Sequence, residues 1–174
     1  RPVTAYKVTI TRPGDTPSYR DRYGALAADI VFRSRFLYDN DLGSHIQVEG
    51  EERKSKPPYR TDLVIDAAKL SPAAPFQVPL RILSFDIENL RSNQIICIGV
   101  VREYDGKIEE EILEGPEKKI LERFRKIILD EDVDVLSGYN ICNYDIPMIA
   151  GRSELHGVST AWARNGRDVL IRRR

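Results

Sequence analysis

Cysteine is scarce in this chain: Cys97 and Cys142 are the only two, far apart and without CxxC spacing. That is the pattern of a reduced, cytoplasmic protein, with both thiols expected as buried apolar residues. No apolar run approaches the length that spans a bilayer and nothing resembles a signal peptide, so no membrane partner is expected. His45 and His156 lack metal-ligand spacing and are assigned no chemistry. A net field is missing too, because 27 Lys and Arg balance 27 Asp and Glu. No global attraction to nucleic acid follows, although a nuclease with an acidic metal site can keep its basic groups local. The carboxyl-terminal stretch is locally basic, with Arg164, Arg167, Arg172, Arg173 and Arg174 offset only by Asp168, and it reads as a solvated tail. Internal repeats and low-complexity tracts are absent.

What is present suits a soluble globular chain, 41% hydrophobic and 31% charged, long enough for one domain or for a small domain plus part of another. It starts on Arg1 rather than Met and ends without a stop signal, so it reads as a piece of a longer polypeptide. Val3–Ile10 predicts a strand, Pro13–Pro17 a turn, and Tyr19–Tyr23 a short helix. Asp29 is placed to cap a helix in which Phe32, Arg35, Phe36 and Asp39 share a stripe, with Phe32 and Phe36 read as core. His45–Glu49 and Asp62–Asp66 predict short strands around a solvated loop at Glu51–Pro58. Ser71–Pro75 reads as a linker, which sets a segment 1–77 apart from a domain 78–174.

The second segment opens on Arg81-Ile82-Leu83-Ser84-Phe85-Asp86-Ile87-Glu88-Asn89. Leu83, Phe85 and Ile87 alternate with the rest at the period of a strand, so Asp86 and Glu88 share a side, about 6–7 Å apart. Two carboxylates there repel one another unless a cation or solvent compensates. Either the face holds a divalent metal, or the pair sits on an exposed edge strand neutralised by Lys or Arg. Gln94–Val101 is nearly all apolar and predicts a buried strand. Asp105-Gly106 predicts a tight turn and Ile108–Leu113 the returning strand. Gly115-Pro116 opens a helix that buries Ile120, Leu121, Phe124, Ile127 and Ile128. Val133–Leu136 is a fourth strand. The last helix begins near Asp145, with Pro147 in its first turn and Met148 and Ile149 inward. This order predicts a mixed sheet flanked by helices, an α/β fold of the ribonuclease-H-like kind, with its site at strand ends.

Gly138-Tyr139-Asn140-Ile141-Cys142-Asn143-Tyr144-Asp145 is the second feature. Asp145 at a helix start can be a simple cap, or it can face the first strand and join Asp86 and Glu88 as oxygen ligands for Mg²⁺ or Mn²⁺. Asn140 can stabilise a turn, and Tyr144 can be core packing.

Phe85-Asp86-Ile87-Glu88 resembles the first exonuclease motif of family B DNA polymerases, and Tyr139-Asn140-x-x-x-Tyr144-Asp145 is similar to their second. Ala28–Leu37 resembles the amino-terminal segment of archaeal members. The resemblance implies a 3′→5′ proofreading exonuclease beside a polymerase domain, acting on the single-stranded 3′ end of DNA. It also implies two Mg²⁺ or Mn²⁺ ions about 3.5–4 Å apart, held by the catalytic Asp86, Glu88 and Asp145. Asn140 and Tyr144 resemble positions that shape the DNA groove. Pro13, Thr16, Ile30, Val31, Phe32 and Arg35 fall where archaeal relatives sense deaminated template bases, with Val31 replacing a common proline. Asn89 stands where the family commonly has Thr. The third exonuclease motif, Tyr-x-x-x-Asp, and the polymerase motifs do not occur before Arg174. The chain alone is therefore expected to be a weak or inactive nuclease, or a DNA-binding or polymerase-docking module.

Overall fold

The computed structural model describes residues 3–57 and 59–170. Pro58 and the arginines Arg172, Arg173 and Arg174 of the basic tail lie outside them. The chain forms two compact units, one running to Glu52 with Ile65–Phe76, the other comprising Arg53–Val64 and everything from Gln77 onward.

In the first unit a 3₁₀ turn, Pro13–Asp15, leads into helix α1, Thr16–Tyr23. Pro17 occupies the first turn, where a missing N–H costs nothing, and Gly24 closes the helix in the left-handed region at φ 59°. Helix α2, Phe32–Asp39, and a two-stranded sheet of β1, Ile46–Arg53, and β2, Val64–Pro72, complete it.

Four expectations are corrected in this unit. Val3–Thr9 is exposed, Ile10 is half-buried, and the segment forms no strand, because β-branched propensity alone does not hold a strand without a paired neighbour. Asp29 does not cap α2; Val31 takes the cap position and makes no side-chain bond there. Phe32 and Phe36 are exposed rather than core, since Leu42 is the one buried hydrophobic residue among those described in this unit. Ser71 and Pro72 finish β2 rather than lying in an irregular segment.

The second unit is built on a four-stranded sheet ordered β5-β4-β3-β6. Strands β3, Ile82–Asn89, β4, Ile95–Tyr104, and β5, Lys107–Glu114, form an antiparallel meander. Helix α3, Glu117–Asp130, follows and leads to β6, Val135–Ser137, which pairs parallel with Ile82–Ser84 of β3. Helix α4 spans Asp145–His156. This is the mixed α/β, ribonuclease-H-like arrangement that the element order predicts.

One face of the sheet is covered. Leu83, Phe85 and Ile87 pack with Ile98, Val100 and Leu113 against Ile120, Leu121, Phe124 and Ile128 of α3 and Ile149 of α4. Phe85 meets Phe124 edge-on at 4.9 Å, and Phe124 meets Trp162 at 5.6 Å. The opposite face is open. Gln94–Val101 is accordingly buried on one side only: Ile95, Ile98 and Val100 are inside while Ile96 is exposed. Neither cysteine is in the core, because Cys97 lies half-exposed on the open face and Cys142 is exposed in a loop.

Two charged anchors lock the layers. The Glu117 carboxylate, buried at the start of α3, accepts from the Ile95 N–H at 2.8 Å, from Arg152 Nε at 2.7 Å and Nη2 at 2.5 Å, and pairs with His156 Nε2 at 2.8 Å. The Arg152 guanidinium holds the Glu117 carboxyl far down, at a pKa of about 2. Arg164, read from the sequence as part of a solvated tail, instead grips Asp132 and Asp134 at 2.6–3.1 Å. Arg60 ties the 53–64 segment to the same unit through its N–H on the Arg164 carbonyl and its guanidinium on the Trp162 carbonyl, 2.9 Å.

Candidate active site

The open face carries the even-numbered side chains of β3, so Asp86 and Glu88 project from it side by side and both are exposed. They lie beyond the end of β6, which pairs with β3 only as far as Ser84. From Phe85 onward that edge of β3 is left to the loop after β6. Gly138 brings the loop in at φ 155°; a Cβ there would stand 2.5 Å from the Phe85 carbonyl oxygen and 2.5 Å from Ile141. No side chain fits at that approach. Ile141 is buried and anchors the loop in the core.

Asn140 takes the left-handed conformation, φ 54°, and its Oδ1 accepts from Asn143 Nδ2 at 2.8 Å. Its carbonyl accepts from the Asn143 and Tyr144 N–H groups at 3.0 and 3.2 Å. The turn therefore uses Asn140 for its own geometry. Tyr144 is half exposed rather than core, and its hydroxyl donates to Asn89 Oδ1 at 2.9 Å. That bond ties the second motif directly to the end of the first. Tyr144 also lines a groove of about 440 Å³ with Asn93, Asn143, Pro147, Met148 and Arg152.

The turn delivers Asp145 to the first position of α4, where it is 3% exposed. Burial pushes its carboxyl above the ordinary carboxylate value, the neighbouring Asp86 charge adds to the rise, and N–H groups of its own residue and of Ile87 partly offset it. Asp145 is thus close enough to β3 to feel the Asp86 charge. Beyond Ser84 β3 is an edge on the β6 side, but no cationic side chain pairs with Asp86 or Glu88 among the described residues.

Asp86, Glu88 and Asp145 carry carboxylate oxygens, the donor type that hard divalent cations take, and the Asp86 charge acts on Asp145. Among the described residues, no three His, Cys, Asp or Glu side chains form a group that could hold a metal ion. Pro13, Thr16, Ile30, Val31, Phe32 and Arg35 lie in the first unit. Pro13, Val31 and Phe32 are exposed there, and Arg35 pairs with Asp39 at 2.9 Å. No described helix is long and apolar enough to cross a membrane.

The Tyr144–Asn89 bond and the close approach of Gly138 escape sequence reading. Both partners of the first stand in the motifs, but only the folded register brings them together.

Residues 100–172 match the exonuclease domain of family B DNA polymerases, a span that includes Asn140, Tyr144 and Asp145 and starts after Asp86 and Glu88. Over 99% of its length the chain is 32% identical to a DNA polymerase of Archaeoglobus fulgidus, of which it covers 23%. It is 30% identical to a DNA polymerase of Desulfurococcus sp. (strain Tok), covering 22%. A solved family B DNA polymerase from Pyrobaculum calidifontis shares the fold, with TM-score 0.70 and 24% identity over 90% of this chain and 22% of that one. The chain thus spans under a quarter of the length of these relatives.

Proposed function

We propose, from the match of residues 100–172 to the family B exonuclease domain and the identity to archaeal DNA polymerases, that this chain is part of such a polymerase and that its open sheet face hydrolyses the 3′-terminal phosphodiester of single-stranded DNA. It would do so as the proofreading part of a longer polymerase. The observation that carries the reading is Asp145, buried at the head of α4 and within reach of the Asp86 charge, with no Lys or Arg paired to either among the described residues. A fold that tolerates two mutually repelling carboxylates at this place gains from a positive ligand.

Asp86 and Asp145 would hold Mg²⁺ or Mn²⁺, with Glu88 the third donor from the same strand. Bound there, such ions supply charge for the departing 3′-oxygen and a more acidic water. The chain's own groups set the frame. Tyr144 and Asn89 brace the two motifs against each other, and the exposed Tyr144 ring offers a surface on which a base can stack.

The test is trimming of a 5′-labelled single-stranded oligonucleotide. Slow removal of 3′ nucleotides that needs Mn²⁺ or Mg²⁺ and falls by about a hundredfold or more in Asp86→Ala is the expected result. Trimming indifferent to metal or to Asp86→Ala would contradict it. The lack of a three-carboxylate group among the described residues favours a second reading, a DNA-binding module without hydrolysis. That reading predicts metal-supported oligonucleotide binding with no trimming at all.

A further inference from the structure

Gly99 sits in the middle of β4, in regular register between Asp86 of β3 and Ile112 of β5. Glycine weakens a strand interior, so its presence there asks for a reason. Three ordinary reasons fail. Its φ is not positive, unlike those of Gly106, Gly115 and Gly138. It is not at the bulge, which falls between Glu88 and Asn89. No neighbour would be struck, because a Cβ on Gly99 meets nothing within 4 Å, whereas one on Gly50 or Gly138 would collide with backbone. What remains is the space itself.

Residues facing across antiparallel strands project to the same side, with Cβ atoms about 5 Å apart. Any side chain at position 99 would therefore rise from the open face directly beside Asp86. We infer that Gly99 is the floor of the substrate cleft. Having no side chain, it leaves room next to Asp86 and Glu88 for the terminal deoxyribose and its phosphodiester. It touches no metal; it sets how closely the strand approaches. The inference rests on the nuclease reading and names the surface that this reading leaves unassigned.

The test compares wild type with Gly99→Val in the full chain. It uses thermal unfolding, Mn²⁺ uptake by the electron paramagnetic resonance signal of free Mn²⁺, and binding of a fluorescent oligo-dT with Mn²⁺ present. A β-branched residue suits a strand, and nothing stands in its way. The variant is therefore expected to unfold at the same or a higher temperature and to take up Mn²⁺ as wild type does. Its oligo-dT affinity is expected to fall about tenfold or more, with Gly99→Ala in between. Unchanged oligo-dT affinity in Gly99→Val overturns the proposal while leaving the nuclease reading intact. A fall in unfolding temperature that accompanies the loss of binding overturns it as well, because the glycine then serves packing. A wild type that takes up Mn²⁺ but binds no oligo-dT also overturns it. Failure of wild type to take up Mn²⁺ removes the underlying reading and this inference with it.

Discussion

Gly138 and Gly151 answer opposite demands. At Gly138 the backbone passes so close to Phe85 that a methyl group would collide with a carbonyl oxygen that has nowhere to go. Gly138→Ala is expected to cost about 2–3 kcal/mol of stability, read by urea unfolding, and to move Asp145 away from Asp86. Gly151 lies inside α4 with open space where a Cβ would stand. Gly151→Ala should stabilise by about 0.5–1 kcal/mol, seen as a higher melting temperature. Asp145 is the more telling residue. Its pKa is raised, so its contribution to stability is present below the unfolded value of 3.8 and is lost as pH rises through the folded one. At neutral pH the charged side chain therefore works against folding. Asp145→Asn removes the charge and keeps the shape of the side chain. In metal-free neutral buffer the variant should melt at or above the wild-type temperature, a result opposite to that for a cap held by its charge.

Among the elements, the joint between α3, α4 and β4 rests on Glu117. Removing one member of a buried ion pair strands the others, so Glu117→Ala is expected to lose about 3–5 kcal/mol in denaturant unfolding. The pH dependence has the opposite sign from that of Asp145. Glu117 is depressed from 4.5 to about 2, so its contribution is complete above 4.5 and lost as pH falls from there towards 2. About 3 kcal/mol is at stake over that window. Glu117→Gln should flatten the acid limb of the stability profile. Nothing in the sequence marks this joint. Arg152 and His156 are an ordinary i, i+4 pair on a helix, and Glu117 looks like a favourable first-turn acid until α3 and α4 are known to pack together. The meander, both long helices and their buried stripes were legible, because each is written in local periodicity. Val3–Ile10 and the Asp29 cap were not, because a strand needs a partner and a cap needs the helix to start beside it. Local composition supplies neither.

At the scale of the whole molecule, the sheet separates packing from chemistry by the two-residue period of a single strand. The odd positions of β3 build the core, and the even positions are left to solvent and to each other. That alternation makes the shared exposed face of Asp86 and Glu88 legible in the sequence, as the helix start at Asp145 is legible from Pro147 and the apolar residues after it. The loop path that closes the distance was not readable, since it depends on β6 being short enough to leave the edge of β3 free. The half-exposed and exposed cysteines belong to the same lesson: an apolar strand is buried only on the side its helices reach.

The nuclease chemistry proposed for the open face requires that Asp86 and Asp145 bind a divalent cation together. Calorimetric titration of Mn²⁺ into the metal-free chain at neutral pH measures this directly, with Asp86→Ala and Asp145→Asn alongside. Saturable uptake by wild type that is lost in both variants is the predicted result. Uptake that survives both substitutions, or none in wild type, would contradict it.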